Sequence, residues 1–214
     1  MAVLESFQYS RNNPENTLVN SLDYAAPSGI VAGDLLVIIA ANDYAAAEVA
    51  ELTTAETGWT RAGGGGNGTS DIHVAAFWKI AEGGEDNITI DSVHTQRHQG
   101  WFLRLSGANN SDPIDGMAST SIRTTATYDI TGLTTSQNKC LIIGFTAFDA
   151  DPTSFTWNTV EWTKQADDTN PTTQFAAGFA TKEQETAGAT GNSNVTAAHA
   201  ANGSASFQLA IAPG

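Results

Sequence analysis

His94 and His98 stand four residues apart, a spacing that lets two imidazoles share a metal ion on a helix or with ligands brought from elsewhere. Between them Thr95-Gln96-Arg97 reads as strand or loop, no cysteine lies near, and Arg97 adds a positive charge that opposes a cation. The expectation is a solvated pair, and His73 and His199 stand equally isolated. Oxygen ligands are more plentiful, in Asp112-Pro113-Ile114-Asp115-Gly116, Asp149-Ala150-Asp151-Pro152 and Asp167-Asp168. None shows the alternating ligands, central glycine and distal glutamate of a calcium loop, and Asp and Pro in turns account for them without an ion. A divalent cation, if one is bound, is expected where Asp149 and Asp151 face Asp167 and Asp168; no other cofactor is expected.

Catalytic patterns are weaker still. The strained Gly-x-Ser-x-Gly turn that would present a serine nucleophile is missing. Glu82, Glu85, Glu183 and Glu185 sit in turn-like contexts, and nothing in the order of residues holds two of them across a cleft as glycoside hydrolysis requires. The run Gly63-Gly64-Gly65-Gly66-Asn67-Gly68 lacks the Lys-Ser or Lys-Thr and the following helix of a phosphate loop, so it is expected to be a flexible strand connection. Gly64, Gly65 and Asn67 are therefore contact candidates rather than catalytic ones. No enzyme is expected.

Five tryptophans could instead offer sugar-stacking surfaces. Trp59, Trp101 and Trp162 recur at matched places in the two halves of the chain and are expected to pack in the core. Trp78 and Trp157 have no aromatic twin of equal size and are the expected exposed contacts.

These residues must be positioned by strands. Residues 138–148 (Asn-Lys-Cys-Leu-Ile-Ile-Gly-Phe-Thr-Ala-Phe) form a short apolar run rich in branched and aromatic side chains, which reads as a strand buried on both faces. Residues 34–41 (Asp-Leu-Leu-Val-Ile-Ile-Ala-Ala) are a segment of the same kind, and the residues after each copy also match. Leu35 answers to Leu141, Trp59 to Trp162, Phe77 to Phe179 and Trp101 to Phe207. The halves, about residues 30–107 and 136–212, are each too small to bury much surface alone. One sandwich domain over residues 1–214 is therefore expected: all-β, antiparallel, jelly-roll-like, with internal pseudo-duplication. Further strands are expected over residues 3–9 and 17–24, the latter with Leu18 and Leu22 inward, and at most a short surface helix or ordered loop over 44–52.

Composition narrows the partners. The formal net charge of −14 with only 9 Lys and Arg argues against nucleic acid and anionic membrane surfaces, which need basic patches. Cys140 is the single cysteine and sits in an apolar run, so a buried, inert thiol is expected. The first residues lack a basic region and a long apolar stretch, so no signal peptide is read there, and no run approaches a membrane span. The expectation is a protein made and kept in soluble form.

The ordered motifs Gly33-Asp34-Leu35-Leu36-Val37-Ile38, Thr57-Gly58-Trp59-Thr60, the glycine run, Ala75-Ala76-Phe77-Trp78-Lys79-Ile80-Ala81, Asp112-Pro113-Ile114-Asp115-Gly116, Cys140-Leu141-Ile142-Ile143-Gly144-Phe145 and Glu161-Trp162-Thr163-Lys164 carry a resemblance. From Gly33 onward the chain resembles the β-sandwich virion proteins of tailed bacteriophages, departing from them in the alanine-rich residues 44–52. The resemblance implies a capsid decoration or cement protein in the virion, with the major capsid protein and copies of itself as partners and residues 1–9 as an attachment arm. Its alternative is a tail-associated, receptor-binding module that recognises host glycan. It carries over no catalytic residue.

Overall fold

The computed structural model describes residues 1–12, 18–43, 52–66, 72–122, 127–149, 154–169, 175–197 and 203–214. All regular structure among the described residues is strand. The first half holds β1 (Val3–Arg11), β2 (Val19–Tyr24), β3 (Leu35–Asp43), β4 (Leu52–Thr53), β5 (Thr60–Gly66), β6 (Ile72–Ile80) and β7 (Ile88–Ser106). The second holds β8 (Ile114–Ile122), β9 (Thr127–Ile130), β10 (Thr134–Thr135), β11 (Cys140–Phe148), β12 (Phe155–Trp157), β13 (Thr163–Asp168), β14 (Ala176–Gln184), β15 (Gly188–Ala189), β16 (Ser193–Ala197) and β17 (Ser204–Ile211).

Each half builds one large antiparallel sheet, and the second adds a three-stranded sheet, β12-β16-β9, and the pair β10-β15. The order β1-β7-β3-β6-β5 in the first is answered by β8-β17-β11-β14-β13 in the second. The repeat extends to irregularities. The β5–β6 ladder skips a residue between Arg61 and Gly63, and the β13–β14 ladder skips one between Lys164 and Ala166. The β1–β7 ladder breaks after the Leu4–Leu105 pair, and the β8–β17 ladder breaks at the Ile114–Ile211 pair. The turn into β3 passes through Gly33 at φ 90°, and the turn into β11 passes through Lys139 at φ 59°, the one described non-glycine residue in that region.

Register corrects one anchor. Ile39 pairs with Ala76, and its counterpart Phe145 pairs with Phe179, so Phe179 answers to Ala76 and not to Phe77. A slip of one residue moves a strand side chain to the opposite face. Phe77 accordingly packs outward while Phe179 sits in the central core.

The inner faces of the two sheets meet in that core, which joins Val37, Ile39, Trp101 and Leu103 to Ile143, Phe145, Phe179 and Phe207. Both outer faces are covered as well. β2, β4 and the first part of β7 close over Leu36, Ile38, Phe77 and Phe102, while β9, β12 and β16 close over Phe148 and Ala176. β3 and β11 are therefore buried along their whole length, as their unbroken apolar runs require. β7 reaches its covering position by bending: Ser92 Oγ lies 3.0 Å from His98 Nε2 although six residues separate them.

Three expectations change here. Residues 3–9 are not a free arm, because they belong to an edge strand paired with β7 through eight registered positions and preceded by the buried Ala2. Leu18 is 52% exposed, whereas Leu22 packs against the outer cluster. The glycine run is no flexible connection as far as it is described: Gly63 to Gly66 lie in β5, paired with β6. Residues 44–51, expected as helix or ordered loop, lie outside the described residues, and Leu52 begins a strand.

The glycines of β5 have a steric cause. A Cβ on Gly63 would stand 2.8 Å from Met117 Sδ, and one on Gly65 would stand 2.7 Å from Ser119 Oγ. β5 and β8 thus close one side of the sandwich with Met117 and Ser119 seated on glycines, and Ser119 Oγ donates to the Gly64 carbonyl at 3.3 Å. The opposite side, where β1 faces β13, is closed by large polar groups.

Candidate functional site

That second closure contains Asp168. Its Oδ2 accepts from Arg11 Nη1 at 2.6 Å and from the Tyr9 hydroxyl. Gln99, with its amide nitrogen turned to Asp168 (3.0 Å), accepts from the Ala177 N–H at 2.9 Å. Burial, and then the Asp168 carboxylate, raise the Tyr9 phenol, so it stays protonated and donating. Asp167 is paired with Lys164 at 3.1 Å. The expected cation position is therefore occupied by a guanidinium and an ammonium at its two neighbouring aspartates. The Asp149 N–H is bonded to the Gly203 carbonyl, and Asp151 lies outside the described residues. Among the described residues no three His, Cys, Asp or Glu converge on a metal position.

The histidines are not a solvated pair. His98 is fully buried beside Ser92, and His73 is buried with its ring against Gly66. His94 is half-buried and His199 lies outside the described residues. Ser92 Oγ donates to the His94 carbonyl at 2.7 Å, which leaves a lone pair to accept from His98 Nε2. The ring is therefore neutral with its proton on Nε2, and Nδ1 has no hydrogen bond of normal geometry among the described residues. Burial pulls the His98 pKa down from 6.5 to about 4, against a smaller opposing effect of the Val19 backbone.

This burial makes stability depend on pH. Unfolded, His98 takes a proton near pH 6.5; folded, it resists until about pH 4. The contribution is complete above 6.5 and declines as pH falls from 6.5 to 4, because the unfolded chain binds more protons across that window. The full decline amounts to about 3 kcal/mol. Urea unfolding of wild type and His98→Gln between pH 7 and pH 4 is expected to give a steeper loss in wild type. Parallel curves would overturn the assignment.

Cys140 is fully buried, donating weakly to the Gln137 carbonyl at 3.4 Å. Burial and the nearby Asp115 carboxylate push its thiol up to about 11, so it carries no thiolate at neutral pH.

The tryptophans redistribute. Trp101 and Trp162 are buried, and Trp59 is half-buried with its ring edge-on to Phe102 at 5.6 Å. Trp78 is half-buried against the central core, so it is no freely exposed contact. Trp157 packs against Trp162 at 5.3 Å, tilted by 32°, over Gly144, and its indole nitrogen is buried, which removes it as an open platform. Within β5, Gly65 faces β8 whereas Gly64 is backed by Val74 and Arg61, and Asn67 lies outside the described residues.

Two concavities were not singled out by sequence. One, of about 280 Å³, is lined by Trp59, Lys79, Glu56, Glu82, Glu85 and Asp86 among others. The second, of about 380 Å³, lies beside Leu141, Glu161, Gln165, Lys182 and Glu183. A signal for the first was present in the repeat, since the Trp59 and Lys79 pair recurs as Trp162 and Lys182. Glu82 and Glu85 thus share one cavity, and the backbone of Glu185 accepts from Lys139 N–H at the far turn. No family model, curated protein or solved structure matches this chain.

Proposed function

We propose that this chain is a non-catalytic building block of a tailed-bacteriophage virion, a capsid decoration protein that binds the major capsid protein and neighbouring copies of itself. The observation that carries the reading is the β1 edge. No described strand pairs with its outer side, and it presents Val3 at 44% and Phe7 at 37% exposure, beside Met1 at 43%. An open ladder with large apolar side chains is a template for pairing with another chain. A formal charge of −14 keeps such a surface soluble until a matched partner meets it.

The reading gives an expected result. Val3→Lys places a charge on the outer edge while altering fold stability by no more than about 0.5 kcal/mol, as surface changes do. Sedimentation of wild type is expected to reveal self-association, weakened about tenfold or more in the variant by the cost of burying an unpaired charge. A wild-type chain that stays monomeric at high concentration sinks the self-assembly part. Imaging of labelled protein within virus particles tests the location: density on the capsid supports decoration, and density absent from particles overturns it.

A second reading, a tail-associated module that binds host glycan, is favoured by the cavity beside Trp59. Label at the tail tip would select it.

A further inference from the structure

The internal repeat supplies a comparison within one molecule. Lys79 and Lys182 hold the same place in their sheets, opposite Leu36 and Ile142. Trp59 and Trp162 likewise precede equivalent ladder pairs, Thr60–Trp78 and Thr163–Thr181. In the second half the indole of the pair is covered. Lys182 is 6% exposed, its Nζ lies 5.2 Å from the Trp162 ring centre, and it donates to the Thr190 carbonyl at 2.5 Å. Glu161 lies 3.5 Å from the same Nζ, and the concavity of about 380 Å³ on this side reaches Lys182 and Glu161 but not the indole of Trp162, which Trp157 and Lys182 cover.

In the first half the same pair opens into the cavity of about 280 Å³. The stem of Lys79 lies over Gly58, and the nearest carboxylate oxygen to its Nζ, on Glu85, is 3.9 Å away. That carboxylate is already held by the N–H groups of Glu82 and Gly83. Among the described residues Lys79 thus has this one long ion pair, where Lys182 has both the Thr190 carbonyl and Glu161 at 3.5 Å. Around it Glu56, Glu82 and Asp86 place further acceptors, and these do not converge on an ion.

We propose that this cavity is a binding site for a saccharide that carries no negative charge. A sugar ring offers a hydroxyl oxygen to Lys79, hydroxyl protons to the carboxylates and an apolar C–H face to the indole of Trp59, which matches the three kinds of group present. Four carboxylates against one ammonium repel sialylated or phosphorylated glycans. The inference deepens the receptor-binding reading by naming its ligand class and site.

The test uses the full chain on an array of neutral, amine-bearing and sialylated oligosaccharides, followed by titration of the best ligand. Binding of neutral or amine-bearing sugars is expected, reduced at least tenfold by Lys79→Met and by Asp86→Asn. Lys182→Met is expected to lower the melting temperature and leave affinity unchanged. A strong loss with Glu82→Gln for an amine-bearing sugar and a weak loss for a neutral one separates the two sources. Binding that survives Lys79→Met with full affinity, or that is confined to sialylated glycans, overturns this site but keeps the receptor-binding reading. No binding to any glycan overturns both.

Discussion

A chain lacking residues 1–11 is expected to lose the native sandwich, with no cooperative melting transition and an earlier elution from gel filtration, as an expanded chain gives. β1 is an edge strand, yet it carries more than edge contacts. Leu4 and Tyr9 pack on the central core, Tyr9 lies 5.2 Å from Trp101, and Phe7 lies 5.2 Å edge-on to Phe179 of the opposite sheet. Leu4 and Tyr9 are half-buried and Phe7 is 37% exposed, so together they contribute about 3 kcal/mol, less than the roughly 1.5–3 kcal/mol each would give if fully buried. Native domains hold only about 5–15 kcal/mol in total. Truncation also exposes the β7 ladder and leaves Asp168, largely buried, without Arg11 and Tyr9. Circular dichroism melting and gel filtration decide the matter. A truncated chain that melts like wild type would restore residues 1–9 as a detachable arm.

The next largest effect is expected at Gly144, in the middle of β11. A Cβ there would stand 2.8 Å from the Trp162 ring and 2.9 Å from the Trp157 ring. Both indoles lie in the covered outer face and cannot swing clear without exposing Ile142 and Ala180. Gly144→Val should cost about 4 kcal/mol, combining overpacking with lost aromatic burial. Tryptophan emission should shift to the red as the pair is displaced. Gly144→Val with Trp157→Ala should recover part of the loss, because the second change makes room for the first. Equal losses in the single and double variants would show that the indoles are not the obstruction.

The same position shows how the halves diverged under one plan. Gly144 answers to Ile38, and their ladder partners are Gln208 and Phe102. One half fills the space with Ile38, Phe102 and the edge of Trp59. The other removes the side chain and lays two indoles on the backbone. Gln208, fully buried, is then satisfied by Thr190 Oγ1 at 2.7 Å and the Gly191 carbonyl at 3.1 Å. Volume and hydrogen bonding are each balanced locally, which is why neither half reads as a clean copy of the other.

What the residue order determined by itself is the strand content, the doubly buried runs at Leu35–Asp43 and Cys140–Phe148, and the correspondence of two halves. These rest on local causes: branched and aromatic side chains in short runs, turn residues between them, and a period of two. Tertiary structure alone decided which face each side chain takes, as the exchange of Phe77 for Ala76 opposite Phe179 shows. It also decided that Gly63 to Gly66 lie in a strand, that His98 is buried, and that Asp168 meets Arg11 and not a metal ion. It alone left Trp59 lining a cavity where Trp157 and Lys182 cover the indole of its copy, Trp162. Each of these depends on groups far apart in sequence that meet only when two sheets pack, and no local pattern records which partner arrives.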